Sequence, residues 1–282
     1  MLVGGAAAGV FGSLLGLGGG VLIVPLLTLG FGLDLRAAVG VSLVAVIVTS
    51  SAAAGVYLER NIANLRLGMT LELFTAMGAL VGGLVAFLIE ERVLAFLFAI
   101  LLGYVAVSMI RSRTGTADPA DAPIEDADPE AAPATASESP LDELDRHRSR
   151  ILRRLSGDDY AVRNLGRAIV GSTGAGVLSA LLGIGGGIIK VPLMHLAMGV
   201  PIRVATATSN LMIGITASAS AVIYLLRGEI DPFIAGPTAI GVFVGASFGS
   251  RVAHRIDLKI LRGLFVAVLL YTAAQMLLKA LS

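Results

Sequence analysis

The segment LLGLGGGVLIVPL, residues 14–26, returns as LLGIGGGIIKVPL, residues 181–193, with nine of thirteen positions identical. Three adjacent glycines and a nearby proline are poor material for a membrane helix, since glycine loses backbone entropy and proline removes a donor. Yet each copy sits in a long apolar run. Residues 2–33 carry no Asp, Glu, Lys or Arg, and residues 168–202 carry only Lys190 before position 202.

Working outward, a shift of 167 residues overlays the chain on itself without a gap. Arg36 meets Arg203, Ser42 meets Ser209, Tyr57 meets Tyr224, Arg60 meets Arg227, Gly78 meets Gly245 and Tyr104 meets Tyr271. The chain therefore reads as a tandem duplication. The first transmembrane repeat is residues 1–111, a linker covers 112–167, and the second repeat is 168–282. Residues 114–140 of the linker are rich in Ala, Pro, Asp and Glu, a composition that cannot bury enough apolar surface to order itself. The following LDELDRHRSRILRRL, residues 141–155, gathers its leucines and isoleucine roughly on one face. It suits a short amphipathic helix on a membrane surface or a solvated connector.

Of the 282 residues, 56% are hydrophobic and 15% charged, with a mean hydropathy of +0.87. That charge is too sparse for a soluble domain of this size, and apolar runs at 37–58, 67–89, 93–110, 204–226, 232–250 and 263–281 can each cross a bilayer. The expected fold class is an all-α polytopic membrane protein built from two homologous, inverted repeats. The absence of cysteine excludes disulfides and thiolate chemistry, and the scattered His147, His195 and His254 make no zinc site. A net charge of +1 gives no electrostatic case for nucleic acid. With no nucleophile or metal set in view, no enzyme, cofactor or metal is expected. The amino terminus lacks a basic leader, so no cleaved signal peptide is expected.

The 32 residues of 2–33 would make a straight helix of about 48 Å, against a hydrocarbon core of about 30 Å. Each glycine-containing run is thus one long tilted helix or two half-helices folded back at the glycines. The positive-inside bias separates the options. If every run crosses once, the linker side holds 13 Lys and Arg against 7. If each glycine run is a re-entrant hairpin, each half has three crossings, the halves are inverted, and the count becomes 16 against 4. The second distribution is the more asymmetric. It leaves Arg36, Arg92, Arg227 and Lys279 outside and the linker in the cytoplasm.

Broken segments at matching positions of two repeats are the best pointer in a sequence to a transport site. Half-helices starting after Gly18, Gly19, Gly20 and after Gly185, Gly186, Gly187 would aim backbone N–H groups at a shared place, which favours anions. Pro25 and Pro192 complete the two motifs. Lys190 adds a positive charge, and a charge in lipid marks function by default. Thr206, Ser209 and Asn210, with Ser42 in the first half, supply hydroxyls and an amide for an oxyanion or for joining helices. Close helix packing is the competing explanation of the glycines, and it fits Gly241, Gly245 and Gly249. His195 reads as a satisfied buried histidine. Glu72 lies only five residues inside its span, near an interface.

The duplicated G-[LI]-G-G-G-x-x-x-V-P-L segments, each followed by R-x-A, resemble the sulfite exporter TauE/SafE family, also called the toluene-sulfonate uptake permeases. The resemblance covers both halves and leaves out the linker. It implies a prokaryotic inner-membrane protein that moves sulfite, sulfonates or other organosulfur anions. The expected function is a secondary exporter of a small sulfur-containing oxyanion, by alternating access around a midplane site. A passive anion channel and a non-transporting scaffold are the alternatives. Expected partners are the anion, the lipid bilayer and a second copy in a homodimer.

Overall fold

A computed structural model describes residues 1–14, 20–59, 63–111, 162–252 and 258–281. The expected disordered linker and amphipathic helix (112–161), and the glycines Gly18 and Gly19, lie outside the described residues. Every regular element among those described is helical. In the first half α1 (Leu2–Leu14) precedes α2 (Gly20–Pro25), which runs into a π turn at Leu26–Gly30. Then come α3 (Leu35–Glu59), α4 (Leu65–Ala86) and α5 (Glu91–Arg111). The second half follows the same order. Its elements are α6 (Leu165–Leu182), α7 (Gly187–Pro192) with a π turn at Leu193–Ala197, α8 (Ile202–Leu226), α9 (Pro232–Val252) and α10 (Leu258–Leu281).

Four of these helices are long and apolar enough to cross a bilayer, at 65–86, 91–110, 165–182 and 204–226. Their outward surface is apolar as well. On α4, Met69, Leu73, Met77, Leu80 and Leu84 recur at helical spacing and are all exposed, a face that suits lipid and not water.

The boundaries have local causes. Asn64 caps α4, its Oδ1 accepting the Leu67 N–H at 3.0 Å. Glu91 does the same for α3 from a distant part of the chain, its Oε1 accepting the Leu35 N–H at 2.8 Å. Helix α6 stops at Gly183, whose φ of 67° only glycine adopts without penalty.

Both glycine-broken segments turn back on themselves. In the second, Gly171 on α6 faces the side chain of Leu193 beyond the break. Its two ends meet, the Arg163 N–H donating to the Met198 carbonyl and Asn164 Nδ2 to the Ala197 carbonyl, both at 3.1 Å. In the first, Gly4 on α1 faces Leu26, the same pair of positions one repeat earlier.

The repeats interlock. Helix α1 packs on α9 and α4 on α6, while α3 pairs with α8 and α5 with α10. Glycines set the first two contacts: Gly241 and Gly245 rest on the backbone of Leu2 and Ala6, and Gly78 and Gly82 on that of Thr173 and Val177. This agrees with the packing role expected for Gly241 and Gly245. Residue numbers rise together along both seams, so each of these pairs runs parallel. Along α3 and α8 they run oppositely, Gly40 lying by Tyr224 and Ser50 by Gly214. One end of the bundle gathers Arg36 and Arg227 over the Phe87 ring, 5.6 and 5.2 Å from its centroid, with Lys279 3.4 Å from Glu91 nearby.

Candidate functional site

The second break is written in glycine because its backbone is left-handed three times. Gly183, Gly185 and Gly186 have φ of 67°, 78° and 77°, a region that costs an L-residue roughly 1–2 kcal/mol. Space is short too: a Cβ on Gly185 would meet Ile213 Cγ2 at 2.5 Å and Val46 Cγ1 at 2.9 Å. Two of the three adjacent glycines, Gly185 and Gly186, thus have a conformational cause as well as any functional one. Their turn frees the chain to start α7 at Gly187.

The two breaks converge. Ser42 on α3 is fully buried, and its Oγ lies 2.7 Å from the Gly183 carbonyl and 3.3 Å from the Gly20 carbonyl. A Cβ on Gly20 would approach the Gly183 carbonyl oxygen to 2.9 Å. So one hydroxyl from the first half ties the second break to the end of the first.

Lys190, on α7, is 1% exposed and reaches across to the other half of the chain. Its Nζ lies 3.1 Å from Glu72 Oε2 on α4 and 2.5 Å from Thr216 Oγ1 on α8. Thr216 Oγ1 in turn stands 2.6 Å from Glu72 Oε1. Lysine has protons only to give, so Thr216 accepts from Lys190 and donates to Glu72. The three side chains close a ring whose charges cancel. Glu72 is 4% exposed, because α4 turns this position towards Lys190 on α7 and Thr216 on α8. Two single charges in otherwise apolar segments were the signal for the pair: a buried charge needs a counter-charge.

The ring has no counterpart in the other half. One repeat earlier, Lys190 becomes Ile23 and Thr216 becomes Thr49, while Glu72 becomes Ala239 one repeat later. Ile23 is fully buried, so the fold packs that position without charge.

The remaining expected residues divide. Ser209 is 1% exposed on α8 with no hydrogen-bond partner among the described residues, and it faces Gly187: a Cβ there would lie 3.6 Å from its Oγ. Gly186 faces Ser179, a residue sequence reasoning missed, whose buried hydroxyl is likewise unpartnered. Ser179 and Gly186 also line a small, half-open apolar pocket with Leu101, Leu178, Ile184, Ile188 and Ile189. Thr206, about one turn before Ser209, and Asn210, next to it, are partly buried on α8, while Pro25 is buried and Pro192 exposed. His195 corrects its expectation: it is exposed, its Nδ1–H donating to the Val200 carbonyl at 2.9 Å.

Comparison with known proteins adds to this geometry. The family model described as Sulfite exporter TauE/SafE matches residues 1–276. The probable membrane transporter protein YunE of Bacillus subtilis is 25% identical over 287 residues, covering 98% of this chain and 96% of its own length. A probable membrane transporter protein of Methanocaldococcus jannaschii is 26% identical over 95% of this chain and 91% of its own. The sulfite exporter TauE/SafE family protein 1 of Arabidopsis thaliana is 38% identical over 85 residues, 30% of this chain and 19% of its own. No solved structure matches.

Proposed function

The chain belongs to the sulfite exporter TauE/SafE family and is a multi-pass membrane transporter, and from that premise we propose that it exports a small sulfur-containing oxyanion, sulfite or an organosulfonate, as a secondary carrier. The observation that carries the reading is the convergence of two glycine-broken hairpins on Ser42, with the buried ammonium of Lys190 on the half-helix that follows the second break. Irregular backbone at membrane depth is tolerated where it is enclosed by protein or lines a pathway. The ammonium and the unpartnered hydroxyl of Ser209 are groups an oxyanion would use.

Alternating access follows from inverted halves. Each half has a folded-back segment, which returns to its own side, followed by three crossings. An odd number of crossings turns the second half over. The antiparallel run of α3 and α8 supports this, as does the meeting of Arg36 and Arg227 over Phe87, which the non-inverted arrangement would put on opposite sides. In this reading the linker is cytoplasmic, the membrane is the prokaryotic inner membrane, and the two hairpins enter from opposite faces to meet at the midplane.

Because the chain has no cysteine, single cysteines report sidedness directly. Ala63→Cys and His254→Cys should react with an impermeant maleimide from the cytoplasmic side, and Glu229→Cys from outside. Glu229→Cys labelling on the same side as Ala63→Cys would refute the inverted topology.

Function is tested by flux into proteoliposomes with sulfite, sulfate, thiosulfate and methanesulfonate. A carrier saturates and shows counterflow, and at least one sulfur oxyanion should do both. Flux that rises linearly without counterflow would make the protein a channel. No flux for any of them would remove the transport reading.

A further inference from the structure

We infer that Glu72 is a resident carboxylate that holds the anion's place on Lys190, and that it must take up a proton before the anion can bind. This rests on the transport reading above and deepens it. Glu72 Oε2 sits 3.1 Å from the ammonium, where an oxygen of a bound oxyanion would sit. The two anions exclude each other.

Charge conservation in a buried site sets the exchange. With Glu72 ionised, the carboxylate and ammonium sum to zero. If a singly charged anion replaced the carboxylate while Glu72 stayed ionised, an unpaired negative charge would be left in the interior, at a large solvation cost. If Glu72 first gains a proton from water, the N–H···Oε2 contact opens and the freed N–H donates to the anion. The sum is again zero. One proton and one anion then enter the site together and leave it together, so net export runs down the anion's own outward gradient. A doubly charged anion would leave an excess negative charge, so the site selects monoanions such as a sulfonate over sulfate.

Three features support movement of this kind over a fixed structural pair. The repeat-related residues Ile23 and Ala239 are both buried without charge, so the packing at those positions does not depend on an ion pair. Thr216 has a second acceptor in place. Its Oγ1 lies 3.1 Å from the Met212 carbonyl, so its proton can turn there and its oxygen can accept from a protonated Glu72. Finally, Ser179 and Ser209 hold buried hydroxyls with nothing to bond among the described residues, beside the same glycine turn. A methyl at Gly186 would lie 3.4 Å from Lys190 Cε and 3.3 Å from Ser179 Cβ, so lysine and serine border one spot.

On the elements packed around α4 the other titratable groups are Arg167 on α6, His195 after α7 and Tyr224 on α8. Tyr224 donates to the Ala180 carbonyl and His195 to Val200, and only Lys190 and Thr216 hold the Glu72 oxygens among the described residues. Arg203 and Arg66 belong to the same helices at their ends.

The test uses the full chain in proteoliposomes with the membrane potential clamped, following methanesulfonate and internal pH together. Methanesulfonate keeps its single charge throughout the neutral range. The expected result is one proton moved per anion, no net current, and binding that weakens about tenfold per pH unit once Glu72 is ionised in the free protein. Infrared difference spectra should gain a protonated-carboxyl band on binding. Glu72→Gln should abolish that band, move methanesulfonate without protons and with a current, and flatten the pH dependence. Should Glu72→Gln be poorly folded, Glu72→Asp serves in its place: it keeps the band and the coupling while shifting the pH midpoint. Methanesulfonate flux without protons in the wild type, or coupling unchanged in Glu72→Gln, overturns the inference and leaves the transport reading standing. Flux of sulfate or thiosulfate without methanesulfonate also overturns it. Flux of none of these anions, sulfite included, is the distinct outcome that removes both.

Discussion

Lys190→Met should destabilise the protein by about 3–5 kcal/mol at a pH high enough to keep Glu72 ionised, because it leaves that carboxylate as an uncompensated charge in the interior, and by less where Glu72 takes up a proton. The size of the effect comes from the carboxylate left behind, not from the value of the pair itself. Its neighbours cannot hide it: Thr216 offers one hydroxyl, and the surroundings are otherwise apolar. Adding Glu72→Gln to Lys190→Met should therefore recover most of the loss, since neutral side chains of similar volume replace the pair. Thermal unfolding in detergent of the two single variants and the double variant measures this as a cycle. Additive losses would mean that the ion pair is not what holds the two side chains there. The same set separates stability from binding. The double variant should fold and still fail to bind an anion, because the ammonium is gone. If Lys190 were only an interfacial anchor, anion affinity would survive in both. Its 1% exposure and its three-membered ring argue for an interior role.

The second large effect is expected where no charge is involved. Gly78→Val and Gly245→Val should each weaken the interlock between the halves by about 1–3 kcal/mol, the cost of forcing volume into a packed contact. A Cβ at Gly78 would run into the carbonyl of Thr173, and one at Gly245 into that of Ala6. Backbone cannot swing aside as a side chain can, so the two helices must separate. Val at Gly103 or Gly174, which have open space around them, is the matched control and should cost little by comparison. These variants should unfold more readily without a change in which anion is chosen. Equal stability of Gly78→Val and Gly103→Val would mean that the α4–α6 seam is looser than its geometry.

Much of the architecture is legible in the residues because the bilayer makes its rules local. A run of apolar side chains of sufficient length must be helical and must cross, whatever it packs against, so 65–86 and 204–226 stand out unaided. The duplication is equally visible, since identical spacing survives at Ser42 and Ser209 or Tyr57 and Tyr224. Glycine at 183, 185 and 186 announces a turn, although only the backbone geometry gives its reason, three positive φ values in four residues. Lys190 declares itself as a charge out of place.

Its partner is another matter. Glu72 is 118 positions away, and the sequence holds no distance information across that separation. Only the packing of α4 against α8, with α7 laid between, selects Glu72 and adds Thr216. Ser42 shows the same limit. As a sequence position it is the repeat equivalent of Ser209 and reads as a possible ligand, but tertiary structure spends its hydroxyl on the carbonyls of Gly183 and Gly20. Ser209 keeps its own unspent. What the chain alone determined was its periodicity, its breaks and its one odd charge, all properties of neighbours along the backbone. Which buried groups neutralise one another, and which remain open to a ligand, was decided by helices from opposite halves coming within 3 Å or so of each other, where desolvation makes every unpaired polar group count.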